Sequence, residues 1–285
     1  MASKSRLALG VFAFAAGALL SAPASSLATV SCEYSGADRL LTVSSTDSFT
    51  KLIRSGDEIV VDDGDRRIAC IGGQPTVADT DRIQVRHEGR RADIVDLNGG
   101  PFAPGATPEP GSAEIEIEFV TPTFLDIPGT RAADRLTFGA GGVNLNGDDD
   151  ADVTGPFTTL LIEGRAGNDL IAPQSDYRGT AGRRILIGGA GRDTLIATPD
   201  GAVLHGGNGR DSLAGGRKSD NLTGGPGSDR IRGGKDRDLI RAIDGTRDRV
   251  HCGGGFDKAK VDGIDSVKGC EKLIKVKRAG PVSKR

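Results

Sequence analysis

The aspartates of the C-terminal half are the residues of this sequence whose type and spacing best suit a chemical role. Asp211, Asp220, Asp229 and Asp238 are nine residues apart, and Asp193 precedes Asp211 by two such intervals. Carboxylates stacked on neighbouring strands repel one another unless a cation lies between them. A hard divalent cation takes oxygen ligands, whereas zinc prefers His and Cys, which do not recur in these turns. The spacing therefore predicts calcium sites.

The residues around each aspartate form a nonapeptide that could align the carboxylates. Each copy places the aspartate at its sixth position and an apolar residue two positions later; regular copies begin at Gly188, Gly206, Gly215, Gly224 and Gly233. We expect the apolar residue to lie in a short strand, and the glycines to form a turn with φ > 0. Two copies then make one coil of 18 residues, and coils stack about 4.8 Å apart, the usual strand spacing.

Stacking predicts one column of aspartates at each edge of the coils. The first column contains Asp193, Asp211, Asp229 and, after a slip of one residue, Asp248. The second contains Asp220, Asp238 and, with the same slip, Asp257. The residues that we predict to bind calcium are Gly189, Gly191, Asp193, Gly207, Gly209, Asp211, Gly216, Asp220, Gly225, Gly227, Asp229, Gly234 and Asp238.

These repeats closely resemble the G-G-x-G-x-D-x-U-x nonapeptide of the haemolysin-type (RTX) calcium-binding family. The resemblance implies an all-β fold, a right-handed parallel β-roll with calcium ions bound between successive turns. It is specific over 188–240, although Lys218 and Asp236 replace the fourth-position glycine and Arg165 replaces a second-position glycine. The alternative is a metal-free β-solenoid in which Arg and Lys side chains pair with the aspartates.

Four cysteines predict two disulfides. Cys252 and Cys270 are one coil apart, so a bridge between them would hold the last coil, where a solenoid needs a cap. Cys32 and Cys70 would close the N-terminal end in the same way. A cross-pairing is the alternative, which the distance along a solenoid disfavours.

The rest of the chain divides by composition. Residues 29–130 are expected to be a β-rich region with a Pro/Gly-rich loop near 98–111, built either as a degenerate solenoid or as a separate β-sandwich. Residues 131–275 are expected to form the roll with its C-terminal cap, and 276–285 a basic tail. The alternating polar residues from Asn144 to Asp152 could form another calcium loop or an acidic turn.

Residues 1–28 have the layout of a secretory signal peptide. Lys4 and Arg6 precede the apolar run Leu7 to Leu20, and small residues lead to a cleavage site after Ala28 or Ala24. The run is shorter than the roughly 20 residues that span a bilayer. We therefore expect export to the extracellular space and no membrane span.

No catalytic signature is found, so we do not expect an enzyme. Two readings of function follow from the repeats: a structural or cell-surface protein, and an adhesive protein whose basic C-terminal tail contacts anionic cell-envelope polysaccharide. A carbohydrate-active β-solenoid enzyme is the alternative. Nucleic-acid binding is not expected, because the basic residues are not interleaved with aromatic residues.

Overall fold

The described residues form only β-strands, turns and irregular segments. The computed structural model describes residues 29–46, 50–88, 92–96, 115–139, 142–145, 151–174, 177 and 182–276. No helix in these ranges is long and apolar enough to cross a bilayer. The predicted signal peptide 1–28, the loop 98–111, residues 146–150 and the tail beyond Val276 lie outside the described residues.

The described strands, in chain order, are β1 (Thr29–Ser35), β2 (Leu40–Thr46), β3 (Thr50–Ser55), β4 (Glu58–Asp62), β5 (Arg67–Ile68), β6 (Arg82–Glu88), β7 (Ala92–Asp96), β8 (Glu116–Phe119), β9 (Thr123–Pro128), β10 (Arg135–Phe138), β11 (Val143–Asn144), β12 (Val153–Thr154), β13 (Phe157–Ala166), β14 (Leu170–Pro173), β15 (Arg183–Gly191), β16 (Thr194–Ile196), β17 (Val203–Gly209), β18 (Ser212–Ala214), β19 (Asn221–Thr223), β20 (Arg230–Gly234), β21 (Leu239–Ala242), β22 (Arg249–Gly253), β23 (Lys258–Asp262), β24 (Ser266–Lys268) and β25 (Lys272–Val276). They form two sheets. Sheet 1 has the order β1-β2-β6-β8-β12-β11-β10-β14-β16-β18-β20-β22-β24, and sheet 2 has the order β25-β23-β21-β19-β17-β15-β13-β9-β7-β3-β4-β5.

The C-terminal strands alternate between the two sheets, so each coil adds one parallel strand to each. In sheet 1 the central residue of every short strand stands beside its counterpart in the next coil, as Leu195 does beside Leu213 and Leu213 beside Ile231. In sheet 2 Leu204 stands beside Leu222 in the same way. These side chains are buried, and one or two small or aliphatic residues per strand fill the space between the sheets. The prediction of an all-β parallel roll is confirmed.

The N-terminal half uses the same two sheets. Strands β2, β6 and β8 are parallel neighbours in sheet 1, and β3, β7, β9 and β13 are parallel neighbours in sheet 2. Antiparallel pairing occurs among β10, β11 and β12, and at the N-terminal end in β1–β2 and β3–β4–β5. The N-terminal half is thus a less regular solenoid continuous with the roll. A boundary at residue 130 stays a prediction.

Larger side chains fill the N-terminal core. Phe119 and Phe138 are almost fully buried, and the ring of Phe119 meets Phe157 edge to face with centroids 6.1 Å apart. Burial of aromatic rings removes more apolar area from water than burial of the small or aliphatic residues that the C-terminal strands contribute. The C-terminal coils therefore derive less stability from their core.

Both predicted disulfides are present. The Cα atoms of Cys32 and Cys70 are 4.5 Å apart, and those of Cys252 and Cys270 are 5.1 Å apart. The first bridge joins β1, at the edge of sheet 1, to the residues after β5, at the edge of sheet 2. The second joins β22 to the segment after β24, so it holds consecutive coils together. The two bridges stand at opposite ends of the solenoid.

Candidate functional site

The turns that lead from sheet 2 into sheet 1 form one edge of the solenoid, called here the first edge. They precede β10, β14, β16, β18, β20, β22 and β24, and each ends in an aspartate next to the following strand. The turns that lead from sheet 1 back to sheet 2 form the second edge. The structure thus brings the predicted aspartates together in the two predicted columns.

The first-edge aspartates are linked by hydrogen bonds between coils. The backbone N–H of Asp193 donates to Oδ1 of Asp211 at 2.9 Å, and the N–H of Asp211 donates to Oδ1 of Asp229 at 2.9 Å. The same bond recurs at 2.8–2.9 Å along the column that we call the aspartate ladder: Asp134, Asp169, Asp193, Asp211, Asp229, Asp248 and Asp265. One oxygen of each receiving carboxylate is therefore fixed by the preceding coil.

The second carboxylate oxygen, Oδ2, is the chemically open group of the ladder. It is buried and has no hydrogen-bond partner among the described residues at Asp169, Asp193, Asp211, Asp229 and Asp248. The two ends of the ladder differ. Oδ2 of Asp134 accepts the N–H of Thr130 at 2.7 Å, and Oδ2 of Asp265 accepts the N–H of Asp262 at 2.6 Å. Unpartnered buried carboxylate oxygens are costly, so a cation at these interior positions would be stabilising.

The turn glycines leave space beside these oxygens. A Cβ atom on Gly206 would stand 2.6 Å from Oδ2 of Asp211 and 2.5 Å from the carbonyl oxygen of Gly224. The same kind of cradle lies at Gly188, between Oδ2 of Asp193 and the carbonyl oxygen of Gly206. Carboxylate and carbonyl oxygens around one small space are the ligands that calcium prefers. The residues present therefore fit a calcium ion.

Two glycines of each regular first-edge turn, those that begin at Gly188, Gly206 and Gly224, have backbone angles that other residues rarely adopt. Gly207 has φ of 106° and Gly209 of 140°, and the corresponding glycines of the flanking turns have nearly the same values. A Cβ on Gly207 would also collide with the carbonyl oxygen of Gly189. Glycine at these positions therefore allows successive turns to pack directly on one another.

Burial raises the pKa of every interior ladder carboxyl. The pKa is about 6 at Asp169 and Asp211 and about 7 at Asp229 and Asp248; desolvation is the main cause and neighbouring carboxylates add to it. The pKa of Asp193 is raised for the same main reason. Without a cation, the ladder is therefore strained by charge at neutral pH.

The second edge is less regular. Asp220 and Asp238 are stacked, and the N–H of Asp220 donates to Oδ1 of Asp238 at 2.8 Å. However, Oδ2 of Asp220 accepts the N–H of Gly216 within its own turn at 2.6 Å, and Gly216 lacks the positive φ of Gly207. Lys218 occupies the fourth position of this turn, where the first edge has glycine with positive φ. The Asp220 turn is therefore closed by its own main chain.

The next turns of the second edge are open. Oδ2 of Asp238 and of Asp257 is buried without a partner among the described residues, and burial with neighbouring carboxylates raises the pKa of Asp238 to about 7. Gly234 has φ of 124°, and Asp236 adopts φ of 59° in place of the usual glycine. Asp248 and Asp257 were placed in the predicted columns but not among the predicted ligands, and the structure adds Asp169 to the first column. Their signal in the sequence is the apolar residue two positions later.

Arginine–aspartate pairing does not hold the roll together. The ion pairs found among the described residues all lie between Arg39 and Arg165, before the regular coils. The predicted pairing of Arg and Lys with the aspartates is therefore not found in the described coils, and the metal-free β-solenoid stays an alternative prediction. No group of three or more His, Cys, Asp or Glu side chains suited to a metal occurs in the described ranges either. Each cradle instead combines few carboxylates with main-chain carbonyls.

A buried polar cluster in the N-terminal half was not anticipated. We call it the histidine corner: Ser45, His87, Asp93 and Thr123, all buried at the second edge. Nδ1 of His87 lies 3.1 Å from Oδ1 of Asp93 and 2.8 Å from Oγ of Ser45, and Oγ1 of Thr123 donates to Oδ2 of Asp93 at 2.6 Å. Because Ser45 and Asp93 meet the same ring nitrogen, the cluster is not a nucleophilic triad. Burial raises the pKa of Asp93.

The polar run from Asn144 to Asp152 is only partly described. Both end residues are buried, and Oδ2 of Asp152 accepts the N–H of Leu145 at 2.6 Å. Asn146, Asp148 and Asp150 lie outside the described residues. The predicted calcium loop or acidic turn at this place stays a prediction.

Comparison with known proteins agrees with this geometry. The sequence model described as RTX calcium-binding nonapeptide repeat, in four copies, matches residues 178–199 and 205–240. These ranges contain the first-edge turns around Asp193, Asp211 and Asp229. No curated protein and no solved structure matches the chain significantly.

Proposed function

We propose that this chain, whose C-terminal coils carry RTX calcium-binding repeats, is a secreted structural or adhesive protein of the cell surface and not an enzyme. Because such repeats bind calcium, the roll would form a rigid rod where calcium is abundant. The observation that carries the proposal is the aspartate ladder. Five of its Oδ2 atoms are buried and have no partner among the described residues, whereas main-chain N–H groups bind Oδ2 at its two ends.

The ladder supports coupling of folding to calcium. Residues Asp193, Asp211 and Asp229 bury their carboxylates in consecutive coils, and the cost of burying these charges opposes folding. Bound calcium supplies positive charge to these oxygens and to the glycine carbonyls beside them. A ligand that binds only the folded state stabilises it by mass action, by about 2.7 kcal/mol for each site when calcium is a hundredfold above its dissociation constant. The coils then fold after export, in calcium-rich surroundings.

Two features support secretion. The bridges Cys32–Cys70 and Cys252–Cys270 are of a kind that persists in oxidising compartments, and residues 1–28 have the signal-peptide layout. Mass spectrometry of protein purified from culture medium should give a mature chain that begins at Thr29 or Ser25. Recovery of a cell-bound chain that still begins at Met1 would contradict export by this route.

The calcium-coupled fold is tested by titrating the metal-stripped mature chain with calcium. Circular dichroism should show strand signal growing with calcium, and calorimetry should show a melting temperature that rises with calcium concentration. Magnesium serves as the control cation, because it prefers a smaller octahedral site and keeps its waters. An unchanged strand signal between chelator and calcium would refute the proposal.

A carbohydrate-active enzyme is the second candidate, and one observation favours it. Asp126 on β9 and Glu163 on β13 lie on the outer face of sheet 2, and burial with the charge of Glu163 raises the pKa of Asp126 to about 6. A carboxyl with a raised pKa beside a second carboxyl suits general acid–base catalysis. The structural explanation is an ion network, since Asp96 beside them contacts Lys51 at 2.6 Å and Arg165 at 3.5 Å. Turnover of a polysaccharide that is abolished by Asp126→Asn would establish the enzyme.

A further inference from the structure

A groove lined by arginines runs along the outer side of the first edge. It has a volume of about 440 Å³ and crosses four consecutive coils, each of which contributes at least one arginine: Arg192, Arg210, Arg230, and both Arg247 and Arg249. Arg230 and Arg249 are register neighbours on β20 and β22. Arg192, Arg210 and Arg247 each directly precede an aspartate of the ladder. The folding of the coils therefore fixes the spacing of these arginine residues along the groove.

These arginines are available to a ligand. All five are exposed, and within the described residues none forms an ion pair or donates a side-chain hydrogen bond. The ladder residues Asp193, Asp211 and Asp229 also line the groove, but they are buried, and one oxygen of each is bound to the main chain of the preceding coil. Residues 183–285 also carry 22 Lys and Arg against 13 Asp and Glu, while 29–182 carry 13 against 26. Positive charge is thus concentrated on the roll.

We infer that the groove binds an extended anionic polysaccharide that lies along the solenoid axis. Coils repeat about every 4.8 Å, so the groove offers at least one guanidinium per coil to a polymer with a regular series of carboxylates or sulfates. The planar guanidinium can donate two hydrogen bonds to such a group. Polar side chains of Thr194, Ser212 and Ser228 also line the groove and can bind sugar hydroxyls. The inference rests on the proposed calcium-stabilised roll, which sets the spacing.

A polysaccharide suits the groove better than a nucleic acid. Proteins that hold single-stranded nucleic acid combine basic grooves with aromatic side chains on which the bases stack. The lining of this groove contains Arg, Asp, Ser and Thr, and no aromatic side chain. A polymer that offers charges and hydroxyls, but no aromatic faces, matches that composition.

Binding is tested with the full mature chain, millimolar calcium and fluorescent dextran sulfate, with neutral dextran as the matched polymer. The groove variant carries four substitutions: Arg192→Gln, Arg210→Gln, Arg230→Gln and Arg249→Gln. The control variant removes the same charge from the second edge and sheet 2: Arg217→Gln, Arg237→Gln, Arg241→Gln and Lys258→Gln. We expect the groove variant to bind about tenfold more weakly and the control to change by less than about threefold. Anisotropy measures the affinity.

An equal loss of binding in both variants would overturn the inference, because it would indicate general charge attraction. Equal binding of neutral dextran would also overturn it. So would binding of single-stranded (dT)20 that is as tight as that of dextran sulfate and equally sensitive to the groove variant. Calcium titrations of both variants by circular dichroism separate the two proposals. A groove variant that folds normally with calcium yet binds like wild type refutes only the groove. A wild-type chain that folds without calcium and still binds through the groove refutes only the calcium-coupled function.

Discussion

The aspartate ladder and the histidine corner both bury carboxylates at an edge of the solenoid, where the chain turns from one sheet to the other. They differ in the partners that these carboxylates have. At the corner, Oδ2 of Asp93 accepts the hydroxyl of Thr123 at 2.6 Å, and Oδ1 lies 3.1 Å from Nδ1 of His87 without a hydrogen bond among the described residues. At the ladder, Asp211 and its neighbours are held by one backbone N–H each and keep a second oxygen unpartnered within the described residues. The corner carboxylate thus has side-chain neighbours from other strands, whereas each interior ladder carboxylate keeps an oxygen that a cation from solution could meet.

The cores differ in the same direction. Phe119, Phe138 and Phe157 pack between the sheets of the N-terminal half, whereas the regular C-terminal coils bury only aliphatic side chains such as Leu213 and Leu222 there. A thin core offsets less of the conformational entropy of glycine-rich coils. If folding is coupled to calcium as proposed, the half with the weaker core is also the half whose stability depends on calcium. On this proposal the N-terminal half is stable without calcium, and the C-terminal half is stable only when calcium is bound.

Removal of calcium should separate the two halves most clearly. In metal-stripped protein we expect amide exchange in residues 183–276 to accelerate about a hundredfold or more, because the ladder charges are left unscreened. Exchange in β2, β3 and β6 should change little. Hydrogen–deuterium exchange with mass spectrometry measures both in one sample. Equal acceleration in the two halves would show that they form one cooperative unit.

The next largest effect is expected at the histidine corner. His87→Ala leaves Asp93 buried without its partner, which should lower the free energy of unfolding of the N-terminal half by about 3–5 kcal/mol. The calcium midpoint of the roll should stay unchanged. Chemical denaturation in calcium measures the first quantity, and a calcium titration the second. Arg86→Ala, on the exposed face of the same strand, is the control.

The disulfides allow a matched comparison of the two ends. Cys252→Ser with Cys270→Ser opens a loop of one coil, and we expect a loss of about 3 kcal/mol in the stability of the last coils. The calcium midpoint should rise as well, because Asp248 and Asp257 lie in those coils. Cys32→Ser with Cys70→Ser should weaken the N-terminal half and leave the midpoint in place. An equal rise of the midpoint in both variants would contradict the separation of the halves.

The aspartate ladder could be predicted because its cause is periodic. Asp193, Asp211 and Asp229 recur at the length of one coil, so stacking follows from the spacing alone, and the bridge Cys252–Cys270 follows from the same length. The closed turn at Asp220 could not be predicted in detail. Lys218 marked a departure from the repeat, but the hydrogen bond from Gly216 to Asp220 depends on the local backbone that results.

The histidine corner had no signal of this kind. Ser45 and His87 are 42 residues apart, and they meet only because β2 and β6 are parallel neighbours. Irregular coils in the N-terminal half give no fixed interval from which such a contact could be inferred. The antiparallel strands β10 to β12 escaped prediction for the same reason. The periodic sequence therefore made the contacts of the C-terminal half predictable, whereas the aperiodic sequence gave no basis for predicting those of the N-terminal half.

A substitution at a single ladder residue should weaken calcium binding and at the same time raise the stability of the metal-free chain. Asp211→Asn keeps the acceptor for the N–H of Asp193 and removes one buried charge. We expect the calcium midpoint to rise about tenfold, while the metal-free chain becomes slightly more stable. Thermal melts in chelator and in calcium measure both. Asp200→Asn, an exposed second-edge residue outside the columns, should alter neither; a similar shift in that variant would refute a role specific to the ladder.

Acidification should narrow the difference that calcium makes. The pKa of Asp229, Asp238 and Asp248 is about 7 in the folded, metal-free roll, mainly because of burial, against an ordinary value of 3.8. The folded state therefore binds more protons than the unfolded chain between these values, so metal-free stability increases as the pH falls through about 7. Calcium requires the deprotonated carboxylates, so its contribution decreases over the same interval. The melting temperatures with and without calcium should therefore converge as the pH falls from about 8 to about 5. A difference between the two melting temperatures that stays constant over this range would show that calcium does not bind the buried ladder carboxylates.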